Sequence, residues 1–176
     1  MSGHNKFSKI KHIKAKNDAQ KSKQFGKLVR LISVEAKKAG GNVSSPGLAA
    51  AIEKARSENM PNDTIDRAVK KAVTDNSASM ESIVYESYGP GGVAILIDAL
   101  TDNRNKSAQD IKHILSKNGY ELASPGSASW AFQKVNGEWQ PTSTMPLEDA
   151  DIQALTTLVE ALEENDDVQN VYTNAE

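Results

Sequence analysis

The charge of this 176-residue chain is divided along its length, and the division limits how it can fold. Residues 1–38 hold eleven Lys/Arg against two acids, Asp18 and Glu35, a net of +9. The other 138 residues hold ten bases against twenty-one acids, a net of −11. The overall −2 hides this contrast. Residues 1–16 carry Lys6, Lys9, Lys11, Lys14 and Lys16 with no acid, so like charges repel and only Phe7, Ile10 and Ile13 can bury. That predicts a disordered or loosely helical arm rather than part of a core. Positive charge at this density marks a binder of polyanions, and phosphate backbones are the usual ones. The acidic remainder would repel the same partner and fix which end docks.

Composition excludes several other classes. There is no Cys, hence no disulfide, thiolate zinc site or cysteine nucleophile. Apolar content of 38% suits several small cores better than one large one. The longest apolar run, Val93 to Ile97, is far short of the about 20 residues that span a bilayer. The first residues are basic but lack the apolar stretch of a secretory signal. The expectation is a soluble, cytoplasmic protein with no membrane partner. His4, His12 and His113 lack zinc-ligand spacing, so no metal and no cofactor is expected.

A three-helix module comes first. From Asp18 to Ala39, Phe25, Leu28, Val29, Ile32 and Ala36 recur at helical spacing, and Lys23, Lys27, Arg30, Lys37 and Lys38 fall in the opposite arc. Gly40-Gly41 stops this helix. Pro46 to Glu58 is helical, with Ser45 as N-cap and Leu48, Ala51, Ile52 and Ala55 inward. Asn62 to Val73 follows, with Ile65, Ala68, Val69 and Ala72 inward. A polar linker, Thr74 to Ser79, divides an N-terminal domain (1–75) from a second domain (80–176).

The second domain reads as α+β with a mixed or antiparallel sheet in β-β-α-β-α-β order. Its strands are Ser82–Tyr88, Val93–Leu100, Ser127–Val135 and Val168–Tyr172. Its helices are Asn105–Asn118, capped by Asp102 or Asn105, and Leu147–Glu164. In the third strand Ala128, Trp130 and Phe132 alternate onto one face.

No segment carries a decisive catalytic signature. Gly89-Pro90-Gly91-Gly92 lacks the Gly-Lys-Ser/Thr of a phosphate loop and reads as a hairpin turn. Asp98 and Asp102 flank a strand end without a base–nucleophile partner. Thr101 to Asn105 is dense in capping residues, and capping is its default role. The functional alternative is that Asn103, Arg104, Asn105 and Lys106 form a polar loop against RNA or DNA. The acidic end, ten acids and no base after Lys134, reads chiefly as solvated surface. Phe7, His4 and His12 among the lysines offer stacking partners to a nucleic acid.

These strings resemble a known family. Gly3-His4-Asn5-Lys6-Phe7 with Ile10-Lys11-His12 is similar to the opening of the YebC/PmpR family. Asn59-Met60-Pro61, Tyr88-Gly89-Pro90-Gly91-Gly92, Thr101-Asp102-Asn103-Arg104-Asn105 and Asp167 to Tyr172 match the family's later marks in order. The resemblance implies a helical domain followed by α+β domains. It also implies a regulator of transcription that binds DNA. Other members, among them the mitochondrial translational activator of cytochrome oxidase, are tied to ribosomes and to relief of stalling at proline-rich sequences. Phe7 stands where the family usually has Trp, Ile13 where it has a base, and Tyr120 where Gly is common. Family members are longer, with a third domain inserted into the second; here Trp130 to Lys134 runs through Asn136-Gly137 straight to the last helix.

The reading is therefore a non-enzymatic regulator that binds DNA. Its contact residues would be Lys6, Lys9, Lys11, His12, Lys14, Lys16, Lys23, Lys27 and Arg30, joined by Asn103, Arg104 and Lys106. The close alternative is a translation factor on ribosomal or transfer RNA. More distant are an enzyme of phosphorylated small molecules using Arg104, Lys106 and the GPGG turn, and an adaptor using the acidic end.

Overall fold

In the computed structural model, which describes residues 18–76 and 79–176, three helices precede an α+β arrangement. The chain divides into two units, Lys16–Glu81 and Ser82–Glu176. The expected linker is partly helix, since the third helix continues through Thr74.

In the first unit α1 spans Asp18–Ala39, α2 Pro46–Ser57 and α3 Asn62–Thr74. Leu28, Ile32 and Ala36, one turn apart on α1, are buried against Leu48, Ala51, Ile52 and Ala55 of α2 and Ile65, Ala68, Val69 and Ala72 of α3. Each large apolar side chain in this cluster contributes about 1.5–3 kcal/mol by leaving water. Gly40 and Gly41 have φ of 58° and 81°, and the Gly41 N–H closes α1 on the Ala36 carbonyl at 2.9 Å. That left-handed ending needs glycine. Pro46 opens α2 as expected, but the Ser45 side chain makes no capping bond. Met60, between α2 and α3, is buried in the same core.

In the second unit β1 spans Glu81–Tyr88, β2 Ala94–Thr101, α4 Arg104–Lys117 and β3 Leu122–Ala123. β4 (Phe132–Val135), β5 (Glu138–Pro141), α5 (Asp149–Glu163) and β6 (Val168–Thr173) complete it. The sheet order is β3-β1-β2-β6, with β1/β3 and β2/β6 antiparallel; β4 and β5 form a separate antiparallel hairpin. Pairing of Ile97 with Val171 and of Leu96 with Tyr172 sets the two faces. On one face Ile95, Ile97 and Ala99 pack with Ile111 and Leu115 of α4 and Leu155, Leu158, Val159 and Leu162 of α5. On the other, Ala94 and Leu96 pack with Ala128, Ala131 and Phe132, flanked by Trp139 and Tyr172. Asn174 ties β2 to the segment before α5: its Oδ1 accepts the Ala94 N–H at 2.8 Å and its Nδ2 donates to the Ser143 carbonyl at 3.0 Å.

The α+β class holds, and two details differ from expectation. Residues 127–135 are not one strand: Ser129–Ala131 is a 3-10 turn and only Phe132–Val135 is extended. The turn buries Ala128 and Ala131 and turns Trp130 out to solvent, so the expected Ala128-Trp130-Phe132 face does not form. The short β3 and β5 were not foreseen, and the true order is β-β-α-β-β-β-α-β. Asn136 and Gly137, with φ of 51° and 83°, make the tight turn between β4 and β5.

Candidate nucleic-acid interface

The cations named from sequence fall into three groups. Lys6, Lys9, Lys11, His12, Lys14 and Lys16 lie outside the described residues. Lys23, Lys27 and Arg30 are on α1, half-buried, and none of them is without a partner. Asn103, Arg104 and Lys106 are exposed at the start of α4, in the other unit.

The polar side of α1 is less open than its sequence suggests. Val34 lies about 160° around the helix from Ile32, among the cations, yet it is buried. A cleft of about 320 Å³ runs along this side, lined by Arg30, Ser33, Val34 and Lys37 of α1 and by Lys71, Asp75 and Met80. Lys71, which the sequence reading passed over, joins Arg30 and Lys37 here. Asp75 brings one negative charge among three positive ones. At the end of α1, Lys38 pairs with Glu35 at 3.1 Å. Glu35 also lies where a Cβ on Gly47 would be, so glycine lets α2 start against this side chain.

At α4 the expected cap is formed. Asn103, rather than Asp102 or Asn105, is the cap: its Oδ1 accepts the Lys106 N–H at 3.1 Å. The Thr101 hydroxyl accepts the Asn103 N–H at 3.0 Å. Lys106 pairs with Asp110 at 3.4 Å. The Asn103 side chain is thus occupied within the helix terminus. The GPGG turn is likewise structural: Gly91 has φ of 67°, and a Cβ there would meet Leu147 at 2.5 Å and the Asp151 carboxylate at 3.1 Å. An acid beside the turn disfavours a phosphate.

One cluster was missed. Glu86 on β1 is only 6% exposed, and its carboxylate accepts backbone N–H groups of Gly126 at 2.6 Å, Ala128 at 2.9 Å and Ser129 at 2.7 Å. Burial alone raises its pKa; the three backbone bonds and a bond from the Ser129 side chain together outweigh that and hold it below its ordinary 4.5. The signal was present in sequence as an acid near the end of the strand Glu81–Tyr88, directly after Ile83-Val84-Tyr85, followed at distance by Ser124-Pro125-Gly126-Ser127. Burial and the nearby charges of Asp98 and Glu138 push Tyr172 up to about 12, against a backbone bond from Trp139. Among the described residues no three His, Asp or Glu are grouped to hold a metal ion, and no helix is long and apolar enough to cross a membrane.

Residues 5–75 match the TACO1/YebC protein N-terminal domain, and residues 80–137 and 134–175 match the TACO1/YebC second and third domain. The chain belongs to the TACO1/YebC family. A relative from Fervidobacterium nodosum, named "Probable transcriptional regulatory protein", is 46% identical over 171 residues, 96% of this chain and 68% of that one. One of the same name from Thermotoga petrophila is 50% identical over 136 residues, 76% of this chain and 54% of that one. The chain thus spans little more than half of some relatives. A third, from Thermosipho africanus, aligns over 237 positions at 36% identity, covering all of this chain and 94% of the relative. Among solved structures, a conserved hypothetical protein from Aquifex aeolicus, Aq1575, matches with a TM-score of 0.79 at 30% identity, over 93% of this chain and 95% of that one. The two stretches of the second match meet at residues 134–137, the end of β4 and the turn into β5.

Proposed function

We propose that this protein is a non-enzymatic regulator of gene expression, working in the cytoplasm, that holds nucleic acid through its N-terminal cations. The observation that carries the reading is the charge partition between units. Residues 1–15 add four bases and no acid; residues 16–81 hold twelve bases and eight acids; residues 82–176 hold five bases and fifteen acids. A phosphate polymer is drawn to the first 81 residues and repelled by the rest. The Arg30–Lys37–Lys71 cleft supports the same end as the contact surface. The relatives' name, probable transcriptional regulatory protein, favours a transcriptional role, and DNA is then the partner.

The acidic α+β unit favours a second reading. A protein that coats DNA gains from positive charge throughout, whereas one cationic end suits insertion into an RNA-lined site. Ribosomal or transfer RNA is the partner in that reading.

The test is affinity against salt for duplex DNA and for RNA. Each phosphate neutralised contributes about −0.9 to the slope on duplex DNA and about −0.7 on a single strand. The expected slope is steep, and the triple change Lys9→Glu, Lys11→Glu, Lys14→Glu flattens it. A flat dependence of the unaltered chain on both polymers rejects the reading. Co-sedimentation with ribosomes at fixed salt, set against DNA capture, separates the two partners.

A further inference from the structure

The cleft beside α1 combines two features that a plain cationic surface lacks. Its rim is charged, with Arg30 and Lys37 on α1 and Lys71 on α3. Its floor is apolar: Val34 of α1 and Ala72 of α3 are buried there, with Val29 and Met80 half-buried beside them. All of these residues belong to the first unit. Helical geometry sets the cleft on a longer track. At 100° per residue, Lys23, Lys27, Arg30 and Lys37 fall within about 80° of one another around α1, and at 1.5 Å per residue they extend over about 21 Å. Val34 falls inside the same arc, so the apolar floor interrupts a line of cations. Each of the four cations already has a partner, and it is their alignment that matters here.

We propose that this cleft holds one unpaired nucleotide of a single-stranded nucleic acid, whose phosphates follow the α1 cations while its sugar and base turn in against Val29, Val34 and Met80. The proposal rests on the nucleic-acid reading above and names the form of polymer that this end of the molecule prefers. The charge is of the right sign: residues 16–81 hold twelve bases and eight acids. A bare phosphate gains nothing from an apolar floor, and an apolar ligand gains nothing from the cations. A nucleotide carries both parts. In a duplex the bases are paired and stacked inside, so only phosphate and sugar could reach the rim. A cleft of about 320 Å³ lies at the small end of sites that enclose a ligand, the scale of one subunit of a polymer. Asp75, one turn after Lys71, adds an acceptor to the lining. It disfavours phosphate at its own position and suits the hydroxyls of a sugar or the amino group of a base. An acidic peptide would meet the rim with isolated charges, whereas a strand bears one on every unit and can meet successive cations of α1.

The experiment measures anisotropy of labelled oligouridylate, and of a blunt duplex of equal length, with the full chain over a range of salt. Lys71→Ala is expected to make the oligouridylate slope shallower by about 0.7, one phosphate contact. Met80→Ala weakens oligouridylate about fivefold at every salt concentration and leaves the slope unchanged, because an apolar contact and no charge is lost. Met80→Leu retains the affinity, and duplex binding is the same with Met80 or alanine. In the unaltered chain, 4-thiouridine placed in the oligonucleotide crosslinks on irradiation to the segment that holds Met80. Lys71 is exposed and Met80 half-buried, so both variants should keep the urea midpoint of the parent. Unchanged oligouridylate affinity in both alanine variants, or crosslinks confined to other segments, with the steep slope of the unaltered chain intact, overturns the cleft and leaves the phosphate reading standing. Equal weakening of duplex binding by Met80→Ala overturns the assignment to an unpaired strand. Displacement of oligouridylate by oligoglutamate of equal charge, as effective as by unlabelled oligouridylate, overturns the nucleotide in favour of an acidic peptide. Absence of binding by the unaltered chain overturns both readings.

Discussion

The Glu86 carboxylate accepts the Ser129 N–H at 2.7 Å across 43 positions of sequence. With the Gly126 and Ala128 bonds it pins the segment after β3 to the C-terminal part of β1. A charged acceptor buried among backbone donors is worth more than a neutral one, because the donors have no water to turn to. Glu86→Gln keeps one acceptor oxygen and turns an N–H₂ toward a backbone N–H. The expected loss is about 2–3 kcal/mol in urea unfolding followed by tryptophan emission. The folded pKa lies below 4.5, so this stabilisation is complete above 4.5 and lost as pH falls through the lower folded value. The acid limb of the stability profile should therefore be shallower in Glu86→Gln; an unchanged limb would exclude Glu86 as its source.

Tyr172 gives the opposite dependence. Its hydroxyl is raised from 10.0 to about 12 by burial and by Asp98 and Glu138. The folded state holds this proton more tightly than the unfolded chain. Its contribution is intact below 10 and disappears as pH climbs from 10 toward 12. Tyr172→Phe should remove that part of the alkaline decline, read as the urea midpoint at pH 9 and pH 11. Equal alkaline loss in both proteins would place the titrating group elsewhere.

Asn103 caps α4, so Asn103→Ala should destabilise the protein by about 1 kcal/mol, while Asn103→Asp should be near neutral. The alanine variant should also speed amide hydrogen exchange in the first turn of α4. If Asn103 instead served only as a ligand contact, exchange there would not change.

Ile32 is completely buried where α1 meets the other two helices. Ile32→Ala should cost about 2–5 kcal/mol and raise exchange rates through α1 to α3. The neighbouring exposed change Lys38→Ala loses a single surface pair and should stay within about 0.5 kcal/mol. Hydrogen exchange at helix amides distinguishes the two directly.

Helices were legible because their apolar spacing acts over one turn. Leu48, Ala51, Ile52 and Ala55 on α2, and Ile152, Leu155, Leu158, Val159 and Leu162 on α5, are buried as their periodicity demands. Residues 127–135 misled because alternation of Ala128, Trp130 and Phe132 is equally consistent with a turn that buries Ala128 and Ala131 and sends the indole outward. What decides between them is Glu86, distant in sequence, whose carboxylate takes three backbone N–H groups that a strand would have paired elsewhere. The candidate interface was legible as charge but not as geometry. Val34 and Lys71 enter it through the packing of α1 beside α3, which no spacing within α1 records.

By itself the sequence determined the sign of each part of the molecule, the placement of five helices and the hairpin turns at glycine. These follow from charge counting and from φ and periodicity, which are properties of neighbouring residues. Only the tertiary structure decided that Asn103 is occupied as a cap, that Asp151 stands beside the GPGG turn, and that Trp130 is fixed in solvent by Tyr88. Those facts depend on atoms brought together by burial of a shared core, and distance along a chain says nothing about which of them will meet.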